Sequence, residues 1–198
     1  EKSVSHTSLM VFISSLIDIL VSKAYNSDMI FRLVKCELLD ISLTEISLLE
    51  NYCYKWSING SKWNKPFSAD TDEAKEAEII REKIIAPLEE LKNKCNDCNV
   101  KTVCSEIYNY IIKRGTDKKI ASIMGDFIQE NKDYLASEQK RIWGFLMDIL
   151  DSLNSIIGDK VISMSEFSLL FKTLLAQIQF SVPPQTLDSV TVASAQTA

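Results

Sequence analysis

The chain has 198 residues, with 22 Lys and Arg against 27 Asp and Glu and a formal net charge of −5. Its hydrophobic residues make up 46%, enough apolar surface to offset chain entropy, which excludes intrinsic disorder as the default. The acidic balance excludes a wholly basic nucleic-acid clamp, so a DNA contact must be a local patch; five Gly and four Pro argue against a turn-rich all-β fold and a glycine-rich phosphate-binding fold.

The dominant period is helical. Leu9, Phe12, Ile13, Leu16, Ile17, Leu20 and Val21 recur at i, i+3, i+4 over three turns, with Ser5 or Thr7 able to cap them. Asp18 interrupts this longest uncharged apolar run, so no membrane span is read. A start at Glu1-Lys2 without Met, and no small-residue cleavage site after the run, argue against a secretory signal and suggest an excised piece of something larger. A second helix is predicted over 27–36, with Ile30, Phe31 and Val34 on one face. Ser42-Leu43-Thr44-Glu45 has capping-box spacing and opens a third helix to about Trp56, its inner face Ile46, Leu49, Tyr52 and Cys53. Asn59-Gly60 is a turn signal, and Lys65-Pro66 ends any local helix.

Residues 69–90 hold eight acidic side chains against Lys75, Arg81 and Lys83, with an apolar stripe through Ile80, Ile84, Ile85 and Leu88. This reads as a helix with one solvated face, and Pro87 should kink or restart it. Residues 93–99 read as a polar loop. A helix over 101–113 ends near Gly115 as its C-cap, and a further helix covers 117–130. A long helix covers 134–157 and closes at Gly158. Ser163-Met164-Ser165-Glu166 is a second capping box, opening a helix that carries Phe167, Leu170, Phe171 and Leu174 to about Gln177. Pro183-Pro184 forbids helix, and 187–193 alternates like a strand whose partners must come from elsewhere. The expected fold is therefore all-α: an irregular bundle of seven or eight helices over 1–180, with a return segment and orphan strand over 181–198.

The search for catalytic motifs finds no phosphate-binding loop, no G-x-S-x-G and no H-E-x-x-H, and His6, the single histidine, has no evident catalytic partner. No motif holds two carboxylates for acid–base or metal-ion work. Cys95-x2-Cys98-x5-Cys104 is the sharpest constellation, half of a zinc or cluster site. It lacks a local fourth ligand, and Cys104 falls in a helical pattern, so the expectation is no metal, with a metal-binding module kept as a third hypothesis. An odd count of five Cys fits a reducing cytoplasm better than a disulfide framework. Basic residues concentrate at Lys113-Arg114, Lys118-Lys119 and Lys140-Arg141. The plain reading is solvated helix ends; the functional one is phosphate contact. Among Trp56, Trp63 and Trp143, core or hinge anchors are expected, with Trp63 the best candidate for base stacking because it sits in a polar stretch. The DNA-contact candidates are thus Lys113, Arg114, Lys118, Lys119 and Trp63.

A succession of blocks then carries a family likeness. Ser5-His6-Thr7-Ser8-Leu9 through Leu20, MIFRLVKCELLDIS, EISLLENYCYKWSINGSKW, EIIREKIIAPLEEL, IWGFLMDILDSL and SVPPQTLDSVTV resemble, in order and spacing, the B subunit of the bacterial AddAB (RexAB) ATP-dependent helicase–nuclease. The resemblance implies a helical insertion within a motor-like domain, with the closing strand returning the chain to the motor sheet. It implies a cytoplasmic, bacterial parent enzyme that unwinds and degrades DNA ends for recombinational repair. The parent uses ATP and Mg²⁺, with the ATP-driven motor in the partner, the A subunit. It also carries an iron–sulfur cluster in the C-terminal nuclease of the B subunit. None of the ATP, nuclease or cluster motifs maps here, so no catalytic, cofactor or metal residue is carried over. The cluster's C-x2-C-x5-C spacing recurs at Cys95, Cys98 and Cys104, but ahead of the return strand, where the family has no cluster. Lys35-Cys36-Glu37 departs from the family's Lys-Thr-Gly, and Ala193-Ser194-Ala195 from its Gly after the strand. The expected role is non-catalytic: shaping a DNA channel, or packing on motor domains or the A subunit. The rival is a helical protein-interaction module with no DNA role.

Overall fold

A computed structural model of the chain describes residues 2–67 and 70–180. Among them are eight α-helices: α1 (Ser8–Val21), α2 (Ser27–Val34), α3 (Leu43–Lys55), α4 (Asp72–Cys95), α5 (Val100–Lys113), α6 (Thr116–Gln129), α7 (Asp133–Ile157) and α8 (Met164–Gln177). Short 3₁₀ turns, Val4–His6 and Gly60–Asn64, precede α1 and α4. The all-α expectation holds. The strand expected at 187–193 and the return segment 181–198 lie outside the described residues.

Helix α1 is the centre. The sequence suggested one apolar stripe, but Met10, Ser15 and Ile19 are buried along with Leu9, Phe12, Ile13, Leu16, Ile17 and Leu20. A helix apolar nearly all round must be covered on all sides, and α1 packs against α2, α8, α4 and α7. Ser15 offsets its burial by donating its hydroxyl to the Val11 carbonyl, 2.7 Å away.

Both capping boxes form as read. The Glu45 amide donates to Ser42 Oγ at 3.2 Å while Glu45 Oε2 accepts from the Ser42 amide at 2.8 Å, and Ser163 and Glu166 repeat the arrangement at 3.2 and 2.8 Å. One expectation narrows, since of the kink or restart expected at Pro87 the restart does not occur, and one changes. Helix α4 runs without a restart through Pro87, because buried Ile84, Ile85, Leu88 and Leu91 on either side hold it by packing. It also continues to Cys95, so the polar loop expected at 93–99 shrinks to its last four residues, and Cys95 is a buried helical residue. The short strands β1 (Lys2–Ser3) and β2 (Gln179–Phe180) pair antiparallel and bring the two ends of the helical body together, a pairing that no local pattern announces. The α7–α8 connection ties to the start of α5 through the Val100 amide to the Lys160 carbonyl and the Lys101 amide to the Gly158 carbonyl, both 2.9 Å.

The stretch between α3 and α4 is held by Arg81. Its side chain is 7% exposed. It donates to Glu78 Oε2 (2.8 Å) and Oε1 (2.8 Å), to Glu82 Oε2 (2.8 Å) and to the Trp63 carbonyl (2.9 Å). Burial works against the Glu78 carboxylate, but Arg81 and the Phe67 amide (2.7 Å) outweigh it and hold its pKa below the ordinary range. Arg81→Met keeps the volume and leaves Glu78 and the Trp63 carbonyl without this partner. The expected loss is about 2–3 kcal/mol, toward the low end for a broken buried pair because Glu78 is partly exposed. Thermal denaturation should register this as a drop of roughly 4–12 °C; an unchanged midpoint would show that Arg81 does not hold this stretch.

Candidate nucleic-acid interface

The turn between α5 and α6 collects the basic residues. Helix α5 ends as its Gly signal implies: the Arg114 amide donates to the Tyr110 carbonyl (2.9 Å) and the Gly115 amide to that of Ile112 (3.0 Å). Gly115 sits at φ 71°, the left-handed conformation that glycine adopts without strain. It is at once the exit from α5 and the N-cap of α6. The next residue, Thr116, is fully buried and donates its hydroxyl to the Leu38 carbonyl at 2.9 Å. That bond, 78 residues apart in sequence, docks the turn against the connection between α2 and α3.

The result is an open cleft of about 610 Å³ whose lining includes Lys83, Lys113, Arg114, Lys118 and Lys119. The rest of the lining is Asp40, Gly115 and Ser122; there is no apolar side chain. Four residues singled out from the sequence therefore share one site. The fifth cation, Lys83, comes from α4; the sequence offered no signal for it beyond its place in a charged helix. Lys140 and Arg141, on α7, do not line the cleft.

The cations are not equivalent. Lys83 Nζ lies 2.7 Å from Glu45 Oε1, and Lys113 Nζ 3.3 Å from Glu90 Oε1. Glu90 is shared with Lys94 at 2.9 Å, and Lys94 reaches Glu106 at 3.3 Å. Arg114, Lys118 and Lys119 make no ion pair among the described residues. Arg114 is half-buried, and its Nε–H is a buried donor with no partner among the described residues. The Asp117 Oδ1 atom is likewise buried without one.

Trp63 is not a stacking platform. It is fully buried, donates its indole N–H to Ser27 Oγ at 2.9 Å, and packs edge-on to Phe31 with centroids 6.1 Å apart. Its polar flanks belong to a 3₁₀ turn that points the ring inward, while Arg81 takes its carbonyl. The three cysteines separate by environment. Cys95 and Cys104 are buried, and burial pushes both thiols up to about 12, so neither is poised as a thiolate. Cys98 is half-buried and donates to the Lys94 carbonyl at 3.0 Å. Among the described residues no group of three His, Cys, Asp or Glu side chains is placed to hold a metal ion. His6 is exposed. No helix among the described residues is long and apolar enough to cross a membrane.

No protein-family model matches the chain. Curated relatives match nearly all of it. The B subunit of an ATP-dependent helicase/deoxyribonuclease from Clostridium botulinum (strain Loch Maree) is 31% identical over 98% of this chain, and that of strain Hall is 30% identical over 98%. The corresponding subunit of Caldanaerobacter subterraneus is 27% identical over 97%. The chain spans about 18% of the length of each of these relatives. The resemblance to this B subunit that the motif succession carries thus extends along essentially the whole chain.

Glu45 links the capping box of α3 to the cleft, since the same carboxylate caps its helix and holds Lys83. Hydrogen bonding from Lys83, then from the Ser42 amide, lowers its pKa to about 2 from an ordinary 4.5. A carboxyl lowered in the folded state stabilises fully above its unfolded pKa, and the contribution is lost as pH falls through the folded value. Stability should therefore decline between about pH 4.5 and 2 by an amount that includes about 1 kcal/mol from Glu45, after discounting for solvent screening. In Glu45→Gln, denaturant midpoints followed across that window should fall less steeply than in the unaltered chain; parallel curves would contradict the assignment.

Proposed function

We propose that this chain is a non-catalytic helical region of a DNA end-processing helicase–nuclease. In this reading it sits within the B subunit as an insertion over 1–180, followed by a return segment over 181–198. It lines the path of DNA and packs on motor domains or the A subunit. The observation that carries the reading is the match to the B subunits of ATP-dependent helicase/deoxyribonucleases over 98% of this chain. The convergence of Lys113, Arg114, Lys118 and Lys119 on one cleft supports a DNA-facing side. ATP and Mg²⁺ chemistry, the iron–sulfur cluster and the nuclease would belong to other parts of the parent enzyme. That parent would act in homologous recombination in the bacterial cytoplasm.

A specific observation also favours packing. The far half of the α6–α7 hairpin carries Ile128 (54% exposed) and Tyr134 (46% exposed), with Ile123, Met124, Phe127 and Leu135 half-buried beside them. Such apolar positions suit a protein neighbour. Both faces can serve one domain; a protein-interaction module without a DNA role would use only the second.

Hydrogen–deuterium exchange on the assembled two-subunit enzyme separates the readings. The α5–α6 turn, 112–119, should gain protection when a duplex end is added, beyond that gained on assembly with the A subunit. Protection that comes only from assembly would favour the protein-interaction module. The chain alone should turn over neither ATP nor DNA ends with Mg²⁺; activity that survives repurification and tracks the chain would remove the non-catalytic reading.

A further inference from the structure

We infer that the α5–α6 cleft is a seat for the phosphodiester backbone of DNA, read without regard to base sequence, and that Arg114, Lys118 and Lys119 are its contact residues. This deepens the reading above and rests on it. Three observations carry the inference.

The first is the lining. A small organic ligand is ordinarily held by a largely apolar pocket with a few polar groups. Here no lining residue is apolar or aromatic, the cleft is open, and of its five cations Lys83 and Lys113 are paired with Glu45 and Glu90, which leaves three beside Asp40. With Trp63 buried in the core, no aromatic ring at the cleft offers a face to a base. What such a surface can hold is a chain of charges, through phosphate oxygens, which position a nucleic acid without specifying sequence.

The second is where the lysines sit. Lys113 and Arg114 end α5, the helix terminus where cations are favoured for structural reasons alone. Lys118 lies in the first turn of α6, the terminus where a cation is disfavoured and an anion welcome. Helix stability does not explain it there. An anion bound at this end would meet Lys118 and Lys119 together; the same turn also carries Asp117, one of whose carboxylate oxygens is buried.

The third is pairing. Lys83 and Lys113 are engaged by Glu45 and Glu90, whereas Arg114, Lys118 and Lys119 make no ion pair among the described residues. The buried Arg114 Nε–H also lacks an acceptor there. A guanidinium matches phosphate geometry with parallel hydrogen bonds, and Arg114 would offer its terminal N–H groups, since its Nε–H is closed to the cleft.

The test uses the two-subunit enzyme whose full-length B subunit carries Arg114→Gln, Lys118→Gln and Lys119→Gln. A control triple, Lys101→Gln, Lys140→Gln and Lys160→Gln, makes the same change in net charge at exposed positions outside the cleft. Equilibrium binding of a blunt duplex end is measured from 50 to 200 mM salt on two unrelated sequences. The cleft triple should bind about tenfold or more weakly at low salt, equally on both sequences, and its log–log salt slope should be shallower by about 3. The double variant Lys118→Gln/Lys119→Gln, which leaves the half-buried Arg114 intact, should lose about 2 from the slope. An unchanged slope in both variants, an equal loss in the control, or a loss confined to one sequence overturns the seat while leaving the parent reading standing. A cleft triple that loses its partner subunit instead of DNA does the same, by making the cleft a protein interface. An unaltered enzyme that assembles but holds no DNA end sinks the parent reading, and this inference with it.

Discussion

The fold depends on the burial of α1. Its residues are apolar on nearly every side, so no single partner can cover it, and α2, α4, α7 and α8 are drawn around it. Those neighbours are far apart in sequence. Burying one helix therefore fixes the relative placement of the first and last thirds of the chain. The β1–β2 pairing lies at the same place: it joins backbone just ahead of α1 to backbone just after α8. One ion pair spans the same distance, with Lys172 Nζ 2.5 Å from Asp18, the one charged residue of α1.

Around that centre, two polar devices set the candidate surface. Arg81 closes the irregular stretch after α3, where Trp63, Phe31 and Phe67 pack together. Thr116 docks the α5–α6 turn. Because its hydroxyl finds the Leu38 carbonyl, burying that hydroxyl does not leave it unsatisfied, and the residues on either side are held at the surface. Lys113 and Arg114 precede it and Lys118 and Lys119 follow it, so one anchored residue turns two separate basic pairs into one cleft. In a chain of net charge −5, that local concentration makes a phosphate contact electrostatically feasible.

Local chemistry was readable in advance. Both capping boxes, the Gly115 helix end, the Asn59-Gly60 turn and most helix limits follow from hydrogen-bonding rules that act within four residues. The misreadings were at long range. Trp63 looked exposed because its neighbours in sequence are polar; its burial depends on Ser27, Phe31, Phe67 and Arg81. Cys95 looked like a loop residue because Asn and Lys surround it, yet α4 carries it inward. Of the cleft, the four basic residues around Gly115 were visible as a cluster, and Lys83 was not, because its approach depends on how α4 packs beside α5. The likeness to the helicase–nuclease B subunit came from the order of many short blocks, and the curated relatives share it over the length of the chain.

The central proposal is that this helical body holds a basic cleft against a DNA backbone. A structure of the assembled two-subunit enzyme on a duplex end tests it most directly. The account predicts DNA phosphates within hydrogen-bonding distance of Arg114 and Lys118, with no base edge in contact with the cleft. A cleft filled by another protein segment, or one facing solvent more than a Debye length (~10 Å) from any phosphate, would contradict it.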